Sequence, residues 1–246
     1  MTKIYGHRGS KGEYPENTLL SFQKALNDEV EGLELDVHMT RDGEIVVIHD
    51  ETLDRTTDGS GYIKDLELGY IKTVSAGSKF DHFENYHSSW DNEKVPTLEE
   101  VLQLITGKNI ELNIELKTSI ITYSGLEEKL LSIVNRWNSD AKIVYSSFHL
   151  PSLVRLKNTD PSVNIAWLLH APISNPKDYI ETFELEALHV EKDLILSSLY
   201  NPFHTVSEYV RVWTVNEEDE MKKLIDLGVN SIITDYPQKA VNVRIK

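Results

Sequence analysis

Glu34 and Asp36 stand two residues apart in the run Gly32-Leu33-Glu34-Leu35-Asp36-Val37. On an extended strand this spacing puts both carboxylates on one face, while Leu33, Leu35 and Val37 take the other. A solvated edge does not explain acids flanked so closely by apolar residues. Glu115 repeats the pattern, with Asn113 and Lys117 on its own face and Leu112, Ile114 and Leu116 opposite. Carboxylates that share a face repel one another unless a cation joins them. Three carboxylates with no cysteine make a hard-oxygen donor set, which favours one divalent cation, Ca²⁺ or Mg²⁺, over Zn²⁺. Taken singly, Glu115 could instead pair with Lys117 or Arg8 as an ordinary salt bridge.

His7 and His49 each follow a short apolar run. Beside the acids they suit a proton-transfer pair, because imidazole titrates near neutral pH. Metal ligation is the second role open to them. Arg8 offers a planar fork for phosphate, or an ion pair to Glu34 or Asp36. Phosphodiester cleavage needs these parts. A cation neutralises a non-bridging oxygen. One group takes a proton from the nucleophile and another protonates the leaving alkoxide. Fixed positive charge steadies the transition state.

These residues need elements to hold them. Strands are expected at Ile4-Tyr5, Leu33–Val37, Ile45–Ile48, Ile110–Leu116, Lys142–Ser146, Asn164–Leu169, Ala187–Val190, Val210–Val215 and Ser231–Thr234. Helices are expected near Thr18–Asp28, Leu98–Thr106, Gly125–Asn138, Leu150–Asn158, Pro176–Phe183, Leu196–Val206, Glu217–Leu227 and after Pro237. Thr97 with Glu100 spells a capping box, and Ser124 with Glu127 repeats it. Asn216 stands as an N-cap before Glu217, Glu218 and Asp219. Alternating strands and helices imply a parallel sheet, and eight such units imply a closed (β/α)8 TIM barrel. Asp42-Gly43 between two apolar runs signals a hairpin, so Ile45–Ile48 extends the second strand.

Residues 51–96 break the rhythm and read as a small inserted subdomain after the second strand, within a single domain over 1–246. Tyr62, Ile63, Leu66, Leu68, Ile71, Phe80, Phe83 and Trp90 give that segment enough apolar surface to fold on the barrel. In such a barrel the site lies at the C-terminal ends of the strands. Those ends supply His7-Arg8, Glu34 and Asp36, His49-Asp50, Glu115 and Lys117, Phe148, His170, Glu191-Lys192, Trp213 and Asp235.

The composition narrows the partners. A formal charge of −15 argues against nucleic acid and against an anionic membrane held through a general basic surface. An anionic substrate must be met locally. The absence of cysteine excludes disulfides, thiolate catalysis and Cys-ligated zinc. No apolar run is long enough for stable membrane insertion, and Met1–His7 lacks a leader's apolar stretch. A cytoplasmic protein is expected.

In order along the chain come His7-Arg8-Gly9, Pro15-Glu16-Asn17-Thr18, Glu34-Leu35-Asp36-Val37, Thr40-Arg41-Asp42-Gly43 and Val47-Ile48-His49-Asp50. Pro96-Thr97-Leu98-Glu99-Glu100, Asn113-Ile114-Glu115-Leu116-Lys117, Val212-Trp213-Thr214-Val215-Asn216 and Ile233-Thr234-Asp235-Tyr236-Pro237 follow. This ordered set resembles the glycerophosphodiester phosphodiesterase family over essentially the whole chain. The resemblance implies a divalent cation, Ca²⁺ or Mg²⁺, on Glu34, Asp36 and Glu115. It implies His7 and His49 as general acid and base; which of the two is the base stays open, and His7 as base with His49 as acid is the assignment carried forward. It implies phosphate binding by Arg8 and Lys117, and Trp213 lining the pocket. The substrate class is then a small glycerophosphodiester, cleaved to glycerol 3-phosphate and an alcohol. Water and the substrate's own glycerol 2-hydroxyl both stay open as the nucleophile.

Two rivals share the barrel. A lysophospholipase D-like enzyme would need an apolar entry path, for which Tyr62, Phe80, Phe83 and Trp90 are candidates. Those aromatics serve equally as the insertion's own core. A non-catalytic barrel that binds a phospho-ligand should lack a histidine or an acid, and neither is missing. A sugar-phosphate isomerase or aldolase would want a Gly-rich phosphate loop near the last strands, and Gly228 alone does not make one.

Overall fold

The structure, a computed structural model, describes residues 1–137, 140–197 and 201–245. Nine strands run in chain order: β1 (Lys3–His7), β2 (Gly32–Met39), β3 (Ile45–Val47), β4 (Glu111–Leu116), β5 (Lys142–Ser147), β6 (Asn164–Leu169), β7 (Ala187–Glu191), β8 (Val210–Trp213) and β9 (Ser231–Thr234). All but β3 are parallel to their neighbours. The order β1-β9-β8-β7-β6-β5-β4-β2, closed by pairing of β1 with β2, makes an eight-stranded barrel. β3 stands outside it, antiparallel to β2 with Val37 opposite Val47. The hairpin turns at Gly43, whose φ of 81° suits glycine.

The helices are α1 (Leu19–Asn27), α2 (Leu68–Ile71), α3 (Leu98–Leu104), α4 (Leu126–Trp137), α5 (Leu150–Thr159), α6 (Pro176–Phe183), α7 (Lys192–Leu196), α8 (Glu218–Leu227) and α9 (Pro237–Ile245). Thr18 caps α1 by accepting the Ser21 N–H at 3.2 Å. The capping box of Thr97 and Glu100 opens α3 as expected. The apolar strand face meets the helices. Leu33, Leu35, Val37, Leu112, Ile114 and Leu116 pack in one core with Phe22, Ala25, Val101, Leu102, Leu126 and Leu130. Each such side chain, taken fully out of water, stabilises the fold by about 1.5–3 kcal/mol.

The other strand face points into the barrel, and its lower end is plugged. Arg211 is buried there, with its guanidinium 5.2 Å from the Tyr5 ring centre and 3.3 Å from Glu111. The Tyr5 hydroxyl and Lys3 also reach Glu111. A Cβ on Gly32 would stand 2.4 Å from the Tyr5 ring, so glycine makes room for this plug. Among the described residues, the barrel interior opens at its upper mouth, where the main cavity lies.

Three local expectations differ from the structure. The helix read over Leu196–Val206 is α7 followed by a 3-10 segment from Pro202 to Tyr209, because Pro202 cannot donate to an α-helical turn. Residues 198–200 of that stretch, and Asn138 at the expected end of α4, lie outside the described residues. Asn216 does not cap α8; its side chain binds Asp235 instead. The last, β8, stops at Trp213 rather than Val215.

Between β3 and α3 the insertion folds as short turns around a second core. Leu53, Ile63, Ile71, Val74, Ala76 and Val95 close on Val46 and Ile48 of the hairpin. Phe80 and Trp90 are buried nearby, Tyr14 lies against Trp90 at 5.2 Å, and Tyr62 is exposed.

Candidate active site

The alternation that puts Leu33, Leu35 and Val37 outside turns Glu34 and Asp36 into the barrel mouth. The register of β2 on β4 places Asp36 beside Glu115. One oxygen from each of Glu34, Asp36 and Glu115 lies within 4.8 Å of the others. All three are buried, and Asp36 Oδ1 has no hydrogen-bond partner.

A strained loop after β1 supports this trio. Arg8 (φ 51°) and Asn17 (φ 57°) both hold left-handed backbone, which non-glycine residues rarely adopt. The Arg8 backbone N–H donates to Glu34 at 3.0 Å. The Asn17 amide donates to Asp36 at 2.9 Å, and the Asn17 N–H donates to the Arg8 carbonyl at 3.0 Å. Gly9 next door cannot take a Cβ, which would fall 2.6 Å from the Ser21 backbone. The Arg8 guanidinium lies 3.2 Å from Asp36 and donates to Glu16 at 2.8 Å. Lys117 donates to Glu115 at 3.0 Å and sits 3.7 Å from Asp36. The ion pairs left open by the sequence therefore exist alongside the cluster.

Burial and mutual repulsion push the carboxyls apart in pKa. Glu34 rises well above the carboxylate range, first by desolvation and then by the charges of Asp36 and Glu115. Glu115 is pushed up to about 7 by burial, although Lys117 pulls the other way. Asp36 goes down. Burial opposes that, but Arg8, Lys117, His49 and the Asn17 bond outweigh it.

Each histidine has an acid behind it. His7 Nδ1 lies 2.6 Å from Asp235 Oδ1, and Asn216 donates to the other Asp235 oxygen at 2.8 Å. His7 Nε2 is left facing the mouth, 3.9 Å from Glu34. His49 Nδ1 lies 2.7 Å from Asp50 Oδ1, and its Nε2 is 3.1 Å from the Lys117 ammonium. Arg55 forks onto Asp50 and onto Glu16, with bonds of 2.7 to 2.9 Å. Burial and nearby cations lower both histidines, so both rest neutral at pH 7.

His7, Arg8, Glu34, His49, Glu115, Lys117 and Trp213 line one cavity of about 210 Å³, and Asp36 forms the wall behind them. All eight residues singled out from the sequence thus meet at one mouth. Phe148 lines it too, 5.6 Å edge-on from Trp213, while Lys192 is taken by Glu220 at 2.8 Å. No aromatic of the insertion lines the cavity. Lys11, Arg55 and His189 are not legible as site residues from the sequence alone. Lys11 and His189 line the cavity, and Arg55 locks Asp50 from behind. Asp50 and Asp235 were visible as strand-end residues, but nothing in their spacing paired each with its histidine.

A bound anion in this cavity would meet Lys11, Arg8 and Lys117, with two neutral imidazoles in reach. The family model that matches residues 7–239 is described as the glycerophosphoryl diester phosphodiesterase family. A glycerophosphodiester phosphodiesterase of Bacillus altitudinis is 37% identical, over 99% of this chain and 98% of its own. One of Caldanaerobacter subterraneus is also 37% identical, over 98% and 97%. An Oleispira antarctica phosphodiesterase, solved with the product sn-glycerol-3-phosphate, superposes with a TM-score of 0.86 at 30% identity, covering 100% of this chain and 98% of its own. With the barrel, the mouth and these relatives in agreement, the chain belongs to the glycerophosphoryl diester phosphodiesterase family of enzymes.

Proposed function

We propose that the protein hydrolyses glycerophosphodiesters to glycerol 3-phosphate and an alcohol, with His7 and His49 as general base and acid beside a carboxylate-held divalent cation. The observation that carries this is the convergence of two acid-backed histidines on one buried carboxylate trio. The chain over 1–246 is read as one catalytic domain, with 51–96 as its inserted subdomain.

The residues fit a cation. Three carboxylates crowd within 4.8 Å, one oxygen of Asp36 is buried without a hydrogen bond, and two of the three carboxyls resist ionising alone. An all-oxygen donor set suits Ca²⁺ or Mg²⁺ on Glu34, Asp36 and Glu115. Such a cation supplies fixed positive charge and Lewis acidity against the phosphate.

The chain's own groups do the rest. Asp235 is an ionised acceptor, so His7 carries its proton on Nδ1 and keeps Nε2 free to accept one from the nucleophile. Lys117 and the free edge of Arg8 draw the phosphate into the mouth. A phosphate that engages Lys117 draws its ammonium away from His49 Nε2, and the phosphate's negative charge then favours uptake of a solvent proton on that nitrogen; His49 gives this proton to the leaving oxygen while Asp50 steadies the ring through Nδ1. Trp213 and Phe148 wall off water.

The test is release of glycerol 3-phosphate from glycerophosphocholine under EDTA, Mg²⁺ or Ca²⁺, for the native protein and His7→Ala. Activity that needs metal and is lost in His7→Ala is the expected outcome. No turnover of any glycerophosphodiester with any metal sinks the proposal.

A further inference from the structure

A second depression of about 310 Å³ opens beside the catalytic cavity. The two share Glu115, Lys117 and Phe148, so one ligand can span both. The remaining walls are Glu51, Ser119, Ile120 and His170, from the loops that follow β3, β4 and β6. Ile120 is 79% exposed, and the Phe148 ring stands 5.4 Å from His170.

The charges around the mouth separate Glu51 from its neighbours. Glu16 and Asp50 are held by Arg55, Asp36 by Arg8, Glu115 by Lys117, and Asp235 by His7 and Lys11. Among the described residues, no ammonium or guanidinium lies within 4.0 Å of the Glu51 carboxylate. Its main chain is nonetheless fixed, because the Glu51 carbonyl accepts the Ile63 N–H at 2.9 Å. The groove thus offers one half-buried carboxylate without a counter-ion, an aromatic ring and an apolar rim. Carboxylate plus ring face is a recognition surface for an organic cation. An anionic head group would meet Glu51 as a like charge.

We propose that this groove is the leaving-group subsite and that Glu51 makes the enzyme favour glycerophosphodiesters with a cationic alcohol. The proposal rests on the hydrolase reading above: phosphate at the trio, head group over Phe148 and against Glu51.

The experiment compares kcat/KM for glycerophosphocholine and for glycerophosphoglycerol, whose head group is neutral. In Glu51→Gln the ratio of the two is expected to fall about tenfold, mostly through KM, and in Glu51→Lys to fall further. Free choline should inhibit glycerophosphoglycerol hydrolysis by the native protein and do so less in Glu51→Gln. An unchanged ratio with unchanged choline inhibition, in variants that still turn over glycerophosphoglycerol, overturns the subsite and leaves the reaction standing. A native protein that hydrolyses neither diester overturns the reaction and the head-group assignment with it.

Discussion

His7 on the first barrel strand sets its Nδ1 2.6 Å from Oδ1 of Asp235, which lies just beyond the last. Closure of the barrel by β1 and β9 makes the pair, with Gly6 in register with Thr234. Asn216 donates to Asp235 Oδ2 and accepts the Asp235 N–H at 3.0 Å, so the carboxylate has little freedom to turn. Asp235 is held well below the usual carboxylate range. Burial alone would raise it, but the His7 bond and the charges of His7 and Lys11 prevail.

Asp235→Asn keeps the shape of this support and removes its charge. An amide can also donate to Nδ1 and select the wrong tautomer. We expect kcat to fall about 10²–10³-fold with KM changed only a few-fold. Loss of the carboxylate lowers the His7 pKa, so the acid limb of the kcat/KM profile should move to lower pH. A profile whose acid limb stays in place would show that His7 does not carry the titration.

The proposed cation site gives a second expectation that reaches beyond its own ligands. Asn17 holds Asp36 Oδ2 at 2.9 Å without itself joining the trio. Groups that orient ligands in this way typically change metal affinity by about 10–100-fold when removed. Asn17→Ala should weaken Mg²⁺ or Ca²⁺ binding by that factor in calorimetric titration, and excess metal should restore most activity. Metal at a hundred times its Kd should add about 2.7 kcal/mol to the native protein's stability. An Asn17→Ala protein with native metal affinity would assign this side chain to the loop alone.

Much of this site could be read before any fold was known, for a physical reason. Period-two alternation on β2 and β4 fixes which way Glu34, Asp36 and Glu115 point, whatever lies around them. The partners of those residues carry no such local mark. Arg55 sits in a segment without periodicity, and its fork onto Glu16 and Asp50 depends on how the insertion folds back. Asn216 carries the local mark of an N-cap, an Asn before three acids, yet the contact with Asp235 across the barrel wins. Pro202 interrupts an apolar pattern that otherwise suits a helix, and the missing N–H breaks the helix where the pattern alone would continue it.

Lys11 is a further cation at the mouth, 3.7 Å from Asp235 and partly open to water. Its distance from its partner leaves charge available to an arriving phosphate. Lys11→Met should raise KM roughly 3–10-fold with kcat little changed, since one partly screened charge is worth on the order of 1 kcal/mol. The native KM should climb with added salt more steeply than that of the variant. Equal salt dependence in the two proteins would remove Lys11 from substrate binding.

Glu16 links stability to pH. Its carboxylate is buried between Arg8 and Arg55, each 2.8 Å away. Burial alone would raise its pKa, but the bonds and charges of the two guanidiniums bring it from 4.5 down to about 2. A carboxyl depressed on folding binds fewer protons in the native state than in the unfolded chain. Its contribution is therefore complete above pH 4.5 and is lost as pH falls towards about 2. At about 1.4 kcal/mol per pH unit, that window corresponds to roughly 3 kcal/mol. Glu16→Gln should be less stable than the native protein by about this amount in urea unfolding at neutral pH, and the gap should shrink steadily on acidification below pH 4.5. Glu16→Gln also leaves Arg55 with Asp50 as its one remaining acid partner, so kcat should fall less than stability does. A stability gap that is the same at neutral pH and at about pH 3 would mean that packing, not the buried charge, is what Glu16 provides.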